Sequence, residues 1–559
     1  MKKLFIILIL ASSLILPTSC EKTFDELSIN PEVLSAAQFY KNEEDALKSV
    51  YGMYAYLNTP RNLGAHGKGI LILRGDESTN TSDYGTSGQY GDLYTPNYYQ
   101  VQEPWALMYT VAFAATNILE NVPAITFKDE ERKKAYLGEA YFLRAFAHFY
   151  LLINYRNIPL LNEQAESPKD FVRGQADPDQ VWDQIISDLE NAKENLPMKG
   201  FWEGEDLGRV TKGSAAALLG KAHLYRSGME THFGAGGNYY SEAAKEFGDI
   251  INGMYGTYSL TEDYNDNFHT DNENNDESLF EVQFRGDLVN EEFNPGLVES
   301  GNFIDHRGFA PPGYAGTTGE CVLNNWLYDV FASSKDENGN TDPRMFGTMI
   351  FDDSAPEIKI PDEDGDGEPD YRVTGVAGMS WEEMYPDGLG DARPWTAPFK
   401  AANRKWLDLT LPTDGDARFN NARAHGSNYR YIRYADVLLM YAEAVVAGGA
   451  QTSISALDAI NLVRSRVNMP ALTTVTMNEI ERERLLELSM EGHRIYDLVR
   501  WGKVAERHQF LFANDPGFKQ AGFGRGANAA GFVENKHEWL PIPLSEVESN
   551  PQIKQNPGW

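Results

Sequence analysis

The chain has 559 residues and a formal net charge of -33 at pH 7, because 82 acidic residues outnumber 49 basic ones. A surface with this excess of negative charge repels nucleic acid and anionic lipid, which excludes nucleic acid as a partner. Neutral ligands such as sugars are compatible with it, and aromatic residues, 12% of the chain, supply rings for stacking as well as for a core.

The N-terminus carries the pattern of a secretory signal. Lys2 and Lys3 supply positive charge, residues 4–16 are predominantly apolar, and Cys20 follows a small residue. The apolar run is shorter than the ~20 residues that a helix needs to cross a bilayer. A cysteine at this position predicts a lipoprotein that is cut before Cys20 and acylated on its thiol. Pro17 stands where bacterial lipoprotein signals usually carry Leu, and ordinary secretion with an incidental cysteine is the alternative.

Cysteine usage limits how the exported protein is stabilised. The chain has two cysteines, Cys20 and Cys321. If Cys20 carries lipid, Cys321 has no partner in the same chain and no intramolecular disulfide can form. The protein must then be held together by its core.

Helical periodicity begins after a polar tether that spans residues 20–41. Apolar residues three and four positions apart predict an amphipathic helix over Glu43–Leu57. The segment from Asp76 to Tyr99 is interrupted by Gly and Pro and rich in tyrosine, and a long loop of this composition is more often functional than idle. Further helices are predicted over Trp105–Val122, Ala135–Ile153, Pro178–Leu196, Ser214–Arg226 and Ser241–Ile251.

The chain changes character between residues 261 and 424, where Gly, Pro, Asn and Asp dominate and strand-like pieces such as Leu279–Phe284 are short. Helices are predicted again over Ala435–Val446, Ile454–Val467 and Met477–Val499. The predicted organisation is a signal peptide (1–19), a lipid-anchored tether (20–41), an N-terminal helical scaffold (42–260), a variable loop-rich ligand-binding lobe (261–424) and C-terminal helices that return to the scaffold (425–559).

Weak internal repeats indicate how the helices pack. Leu137-Gly138 followed by Tyr141 matches the Leu-Gly-x-x-Tyr piece of a tetratricopeptide helix, and Leu219-Gly220 is a weaker match. Ala243 and Phe247 have the spacing of the second helix of such a pair. We therefore predict a mainly α fold, with a scaffold of tetratricopeptide-like helical pairs and a loop-rich, irregular C-terminal lobe carrying short strands. An unrelated helical bundle is the alternative.

Several longer motifs follow one another in a characteristic order. They are Gly138–Ala145, Tyr155–Leu160, Gly208–Gly213, Ile432–Ala444, the pieces between Glu481 and Gly502, Leu540–Pro543 and Gln555–Gly558. Together they cover nearly the whole mature chain, and in this order they resemble the SusD/RagB family.

The resemblance implies a lipid-anchored protein at the cell surface, in the outer membrane of a Gram-negative bacterium. Family members capture nutrient, usually an oligosaccharide or polysaccharide, and pass it to a SusC-like TonB-dependent transporter over which they sit as a lid. Some relatives bind peptides, which is the alternative ligand class here. The resemblance implies no required cofactor and no enzymatic activity.

Charged residues within the helical motifs are expected to be buried ion pairs of the scaffold, since charges among apolar residues are usually paired. These residues are Arg144, Glu443, Glu491, His493, Arg494 and Asp497. Glu491 and His493 do not form a zinc motif, because the His-Glu-x-x-His spacing is missing.

Two irregular segments are predicted to hold the ligand, residues 76–99 and 301–326. They combine rings for the apolar faces of sugars with planar polar groups for hydroxyls, and the resemblance supports them as regions. The candidate ligand-binding residues are Asp76, Asn80, Asp83, Tyr84, Tyr90, Tyr94, Phe303, His306, Phe309 and Tyr314. Packing within the loops is the alternative role for any single tyrosine.

An acidic stretch resembles a calcium-binding loop. Carboxylates alternate along it and Gly367 occupies the sixth position, an arrangement that can wrap one Ca²⁺. Val373 stands where an EF-hand carries its bidentate Glu, so a structural calcium would need a carboxylate from elsewhere. A solvated acidic turn is the alternative. The candidate ligands are Asp362, Asp364, Asp366, Glu368 and Asp370.

Catalysis has weaker support in the sequence. With 82 acidic residues, a pair of carboxylates suited to a glycoside hydrolase could always be found, and that function stays open as a less favoured alternative. No nucleophile elbow, phosphate loop or zinc motif occurs in the sequence.

Overall fold

The structure is a computed structural model of the chain. It describes residues 39–59, 63, 71–80, 95–164, 170, 172–234, 237–284, 321–351, 358–360, 370–372, 400–405, 427–518 and 532–559. Cys20 lies outside the described residues, so its acylation stays a prediction. No helix within the described ranges is both long enough and apolar enough to span a bilayer.

The N-terminal half is a stack of helices in which chain neighbours are also spatial neighbours. The helices are α1 (Glu43–Leu57), α2 (Tyr99–Asn121), α3 (Glu130–Tyr155), α4 (Pro178–Asn195), α5 (Lys212–Phe233) and α6 (Tyr240–Ile251). Each helix from α1 to α5 packs against the next one along the chain. This arrangement is typical of tetratricopeptide-like pairs, which bury one face against the following pair.

Capping residues in the sequence explain where two of these helices begin. The Asn42 side chain accepts hydrogen bonds from the backbone N–H groups of Glu44 and Asp45 at the start of α1. At the start of α4, Asp177 and Gln180 form a capping box. The predicted bounds of α1 are confirmed, and α4 ends one residue before the predicted one.

Other helices extend beyond their predicted bounds. Helix α2 begins at Tyr99 rather than Trp105 and contains Pro104, which the sequence analysis had left outside it. Helix α3 begins at Glu130, capped by Asp129, because its charged first turns are stabilised by the cap although they carry no apolar stripe. Helix α5 continues to Phe233.

The two Leu-Gly motifs mark places where helices approach closely. A Cβ atom at Gly138 would lie 2.8 Å from the backbone nitrogen of Leu196, at the end of α4. A Cβ atom at Gly220 would lie 2.7 Å from the ring of Phe247 in α6. Gly220 of α5 therefore receives Phe247 of α6, and the two residues belong to the motifs that predicted a helical pair.

Replacing Gly220 by alanine is expected to destabilise the protein by about 1–2 kcal/mol. Overpacking against the fully buried Phe247 ring costs about 1–3 kcal/mol, and the higher helix propensity of alanine returns up to about 1 kcal/mol. Urea unfolding would measure the difference. Gly52 of α1 is the control, because a Cβ atom there meets nothing within 4 Å, and Gly52→Ala is expected to be neutral or stabilising. Equal effects of the two substitutions would contradict the close-approach explanation.

Eight further helices are described, two short ones within the predicted lobe (261–424) and six in the C-terminal part of the chain. They are α7 (Asn325–Ser333), α8 (Arg344–Thr348), α9 (Tyr434–Val446), α10 (Ala456–Arg466), α11 (Met477–Leu488), α12 (Arg494–Arg500), α13 (Val504–Asn514) and α14 (Leu544–Ser549). Helix α9 packs against α6, and α10 and α11 pack against α9, while α12 contacts α5. The predicted mainly α fold of helical pairs is therefore confirmed.

The predicted helix over Met477–Val499 is wrong, because the chain breaks between α11 and α12. Met490 has a φ angle of 64° and Gly492 one of 85°, both in the left-handed region. A side chain at position 492 would lie 2.8 Å from the hydroxyl of Tyr429, so glycine is needed there for space as well as for conformation.

The described residues also form short strands. They are β1 (Ser78–Asn80), β2 (Ser278–Val282), β3 (Cys321–Leu323), β4 (Met349–Ile350), β5 (Ile358–Ile360), β6 (Asp370–Arg372), β7 (Ala402–Asn403) and β8 (Tyr429–Arg433). One antiparallel sheet has the order β1-β3-β7-β4, and β2–β8 and β5–β6 are separate antiparallel pairs. Strand β2 confirms most of the predicted strand over Leu279–Phe284, and its Phe280 ring contacts those of Phe142 and Phe146 in α3.

Charged residues also gather in the core, in a group that we call the buried charge cluster. Its members are Arg344, Lys405, Arg433, Arg464 and Arg466, with Glu277, Asp342, Glu483, Glu487 and Glu491. Arg433 donates to Glu277 at 2.7 Å, to Glu487 at 2.6 Å and to Glu491 at 2.8 Å. Because its cations and anions are equal in number, the cluster buries no net charge.

The predicted ion pairs of the helical motifs are confirmed for five residues, while His493 contacts a cation instead of a carboxylate. Arg144 pairs with Asp188 at 2.7 Å, and Asp497 pairs with Arg484 at 2.8 Å. Glu443 pairs with Arg500, Glu491 belongs to the buried charge cluster, and Arg494 pairs with Asp76. The buried His493 ring has its Nδ1 3.2 Å from the ammonium of Lys221.

Candidate functional site

The two segments predicted to hold a ligand are attached at the same place. Strands β1 and β3 are antiparallel, and Asn80 faces Cys321 across the pair. The chain that follows Asn80 leads into residues 81–94, and residues 285–320 end at Cys321. Both candidate segments therefore join the described fold at one end of this strand pair.

Most of the predicted contact residues cannot be placed. Asp83, Tyr84, Tyr90, Tyr94, Phe303, His306, Phe309 and Tyr314 lie outside the described residues. The backbone of Asn80 belongs to β1, but its side chain is outside the description too. These residues stay predictions, and the pairing of β1 with β3 gives them a common base.

Asp76 is placed, and its side chain has a structural role. The carboxylate is fully buried and accepts hydrogen bonds from Arg494 at 2.8 Å and from Arg507 at 2.6 Å. Burial alone would raise the pKa of Asp76, but the two guanidinium groups bring it down to about 2. The carboxylate does not face solvent, which corrects its predicted role as a direct ligand contact.

A pocket of 540 Å³ opens beside the base of the two segments. Residues that line it are Asn325, Trp326, Asp329, Lys400, Phe510 and Asn514. Trp326 follows β3 closely, and its indole N–H donates to the backbone carbonyl of Asp76, just before β1. The pocket thus lies against the strand pair from which both candidate segments depart.

The aromatic wall of the pocket is built around an arginine. The guanidinium of Arg507 lies 4.3 Å from the ring centre of Trp326 and 4.6 Å from that of Phe510. Trp326 is partly exposed, and Phe510 is 40% exposed. Two accessible rings at fixed spacing offer apolar surfaces on which a flat ligand face can rest.

Polar groups face the same pocket. Lys400 pairs with Asp329 at 2.5 Å, and the side-chain amide oxygen of Asn325 accepts the backbone N–H of Lys400 at 2.8 Å. Asn514 adds an amide from α13. Because Lys400 and Asp329 neutralise each other, the polar part of the wall suits uncharged hydroxyl groups, which hydrogen-bond to amides and carboxylates alike.

Phe510 and Asn514 were missed by the sequence analysis, which assigned this part of the chain to the helical scaffold. The available signal was the run Phe510-Leu511-Phe512 in α13. Leu511 is fully buried, whereas Phe510 and Phe512 on either side of it are 40% and 42% exposed. Phe510 belongs to the pocket wall and Phe512 does not, so the run alone does not identify the contact residue.

A second cavity is less suited to a ligand. It has a volume of 180 Å³ and is lined by residues that include Trp202, Arg209 and Tyr258. Arg209 is held by Glu139 at 2.6 Å and stacks on Trp202 at 3.9 Å, and the Tyr258 hydroxyl lies 3.4 Å from that of Thr211. The polar groups that line this cavity therefore bond mainly to one another.

The acidic loop predicted to bind calcium joins two paired strands. Ile360 at the end of β5 faces Asp370 at the start of β6, so residues 361–369 connect the strands of a hairpin. Asp362, Asp364, Asp366 and Glu368 lie outside the described residues, and so does the side chain of Asp370. Calcium binding stays a prediction; elsewhere, the described ranges hold no group of three or more His, Cys, Asp or Glu residues arranged for a metal.

Comparisons with known families match almost the whole chain. A model described as SusD family matches residues 225–559, and one described as starch-binding associating with outer membrane matches residues 48–224. The two matches are contiguous and divide within helix α5.

Individual proteins are similar over the same extent. SusD-like protein P25 of Formosa agariphila is 27% identical, over 96% of this chain and 95% of that protein. A solved structure named laminarin binding SusD-like protein is 27% identical, with a TM-score of 0.68 over 93% of this chain and 100% of that one. A SusD homolog from Bacteroides thetaiotaomicron, 23% identical, has the same fold, with a TM-score of 0.70 over 94% of this chain and 98% of that chain.

Proposed function

The chain belongs to the SusD family, as its motifs predicted, and on this premise we propose that it is a glycan-binding lipoprotein of the cell surface. It captures an oligosaccharide or polysaccharide without cleaving it. It is held on the outer membrane by lipid on Cys20 and passes the glycan to a SusC-like TonB-dependent transporter.

Glycan binding is supported by two independent lines. The matching model for residues 48–224 is described as starch-binding, and a structure 27% identical to this chain is named as laminarin binding. The pocket beside Trp326 combines accessible rings with amides and a neutralised ion pair, which is the chemistry that a neutral sugar needs.

The membrane location is supported by the family description, which names association with the outer membrane. Within the sequence, the apolar run and Cys20 supply the means of anchoring. The negative charge of the chain argues against direct adsorption to anionic lipid, so a covalent anchor is the device that fits.

The observation that carries the proposal is the position of the pocket. Its wall includes Trp326, beside the point where both candidate ligand segments join the fold. A glycan held there would contact fixed rings of the described structure, close to the strand pair from which both candidate segments continue.

Affinity electrophoresis tests the proposal. The soluble protein, starting at Glu21, would be run through gels that contain single polysaccharides, with laminarin first and a panel of plant, host and microbial glycans after it. We expect one class of glycan to retard the protein without being depolymerised. No retardation across the panel would contradict glycan binding and move the proposal to peptide ligands.

Trp326→Ala is expected to weaken binding of the retarding glycan about tenfold or more, because buried aromatic contacts dominate such interfaces. Phe510→Ala is expected to act in the same direction. Phe512→Ala is the matched control, since Phe512 is 42% exposed on the same helix but is not part of the pocket wall. Isothermal titration calorimetry would measure the three affinities, and equal losses for Phe510 and Phe512 would place the glycan elsewhere.

A further inference from the structure

Asp76 holds Trp326 from two sides. Its backbone carbonyl accepts the indole N–H of Trp326. Its carboxylate accepts the Nε–H of Arg507 at 2.6 Å, and the guanidinium of Arg507 stacks on the indole ring at 4.3 Å. The same carbonyl also accepts the Asn324 side-chain amide at 2.9 Å. One buried residue therefore fixes both the edge and a face of the ring.

Arg507 sets the spacing between the two rings of the pocket. Its guanidinium contacts Trp326 and Phe510 together, at 4.3 and 4.6 Å from their centres. The Nη2 atom is buried and has no hydrogen-bond partner among the described residues, so stacking and the bond to Asp76 are what hold the group. A planar guanidinium can satisfy both demands, whereas a lysine ammonium cannot stack in this way.

Ligand affinity depends on how firmly such rings are held. A partly exposed tryptophan that can change rotamer must lose that freedom when a ligand binds, which weakens the complex. Here the ring is already fixed before a ligand arrives. Arg507 is not among the residues that line the pocket, and its guanidinium pairs with the carboxylate of Asp76, which also pairs with Arg494.

We propose that Asp76 and Arg507 are positioning residues of the glycan site, which act through Trp326. The proposal rests on the proposed function. It explains why a carboxylate in a predicted ligand segment is buried: its contact with the ligand is indirect, through the ring that it orients.

The test is a double-mutant cycle with Arg507→Lys and Trp326→Ala, using calorimetry with the glycan that retards the wild-type protein. We expect Arg507→Lys to weaken binding about fivefold to tenfold in the wild-type background and to have little further effect once Trp326 is Ala. Arg507→Gln answers the same question should the lysine variant not fold. Arg494→Lys is the matched control, because Arg494 bonds to the same carboxylate but its guanidinium lies over the ring of Trp501, which is not part of the pocket wall. We expect its affinity to stay within about twofold of the wild-type value.

The outcomes separate this proposal from the one on which it rests. Wild-type affinity in Arg507→Lys, or an undiminished effect of that substitution in the Trp326→Ala background, would overturn the positioning role alone. Equal losses from Arg494→Lys and Arg507→Lys would also overturn it, because the effect would then be a general loss of core stability. A wild-type protein that binds no glycan overturns the proposed function and the positioning role with it.

Discussion

Arg433→Met is expected to lower the free energy of unfolding by about 3–5 kcal/mol, the cost of removing one partner from a buried ion pair. Arg433 is fully buried and its guanidinium contacts three carboxylates of the buried charge cluster, those of Glu277, Glu487 and Glu491. The substitution would leave these groups with too few cations in a medium where unpaired charge is unstable.

The pKa values of the cluster show what Arg433 does. Burial alone would raise the pKa of Glu491, but the positive charges of Arg433 and Lys405 bring it down to about 2. A carboxylate with a depressed pKa stabilises the fold above its unfolded pKa, near 4.5, and loses that contribution as pH falls towards 2. Without Arg433 the carboxylates must take up protons or remain charged without a partner.

Unfolding in guanidinium chloride at pH 7, followed by circular dichroism, would measure the change in the free energy of unfolding. Arg132→Met is the matched control, since the Arg132 side chain is 47% exposed and its nearest carboxylate, that of Asp206, is 3.9 Å away. We expect less than about 0.5 kcal/mol from it, as for most exposed ion pairs. Similar losses of unfolding free energy from both substitutions would contradict the prediction that a buried arginine contributes more stability than an exposed one.

Glu77→Gln is expected to remove a loss of stability that the wild-type protein undergoes between about pH 5 and pH 8. Glu77 is 1% exposed, and one carboxyl oxygen accepts the backbone N–H of Met490 at 3.1 Å. The other has no hydrogen-bond partner among the described residues. Burial raises the pKa of Glu77 to about 8, against the opposing charge of Arg494 and with the support of Asp76.

The direction of this pH dependence follows from the number of protons that the folded and unfolded states bind. Between pH 4.5 and 8 the folded state keeps the proton of Glu77 while the unfolded state releases it, so stability falls as pH rises. One pH unit is worth about 1.4 kcal/mol, which gives a loss of about 3 kcal/mol from this group between pH 4.5 and 7. Glutamine has the same shape and no proton to lose.

Urea unfolding of the wild-type protein and of Glu77→Gln at several pH values would isolate the contribution of Glu77 to stability, because the two proteins share all other titrating groups. Glu190→Gln is the control, as Glu190 is exposed in the middle of α4 and its replacement is expected to leave the wild-type slope unchanged. A Glu77→Gln variant whose pH profile parallels the wild-type one would show that Glu77 is ionised in the fold.

Local patterns predicted the helices whose ends are fixed by local chemistry. Helix α1 begins at its Asn42 cap and ends where its apolar stripe ends, so the sequence defines both bounds. The break between α11 and α12 has no such local cause. Met490 adopts its left-handed conformation where Glu77 accepts its N–H, a contact between residues far apart in sequence.

Contacts between residues far apart in sequence also limited what could be predicted about the candidate site. Composition and the family resemblance predicted two ligand segments, and both join the described fold at the pair of β1 and β3. Asp76 looked like a contact residue because it begins a polar loop, but Arg494, 418 positions away, takes its carboxylate into the core. Phe510 was overlooked because the run Phe510-Leu511-Phe512 does not show which ring shares a surface with Trp326.

The buried charge cluster also changes how a stack of helical pairs comes apart. An array of repeats usually gains stability from one neighbour to the next and can fray from its ends. In this chain Arg344 meets Glu483 across 139 positions, and Arg433 meets Glu277 across 156. Contacts of that range close large loops and form late, which slows folding. They also bind distant parts of the stack into one cooperative unit, so the described helices open together rather than one pair at a time.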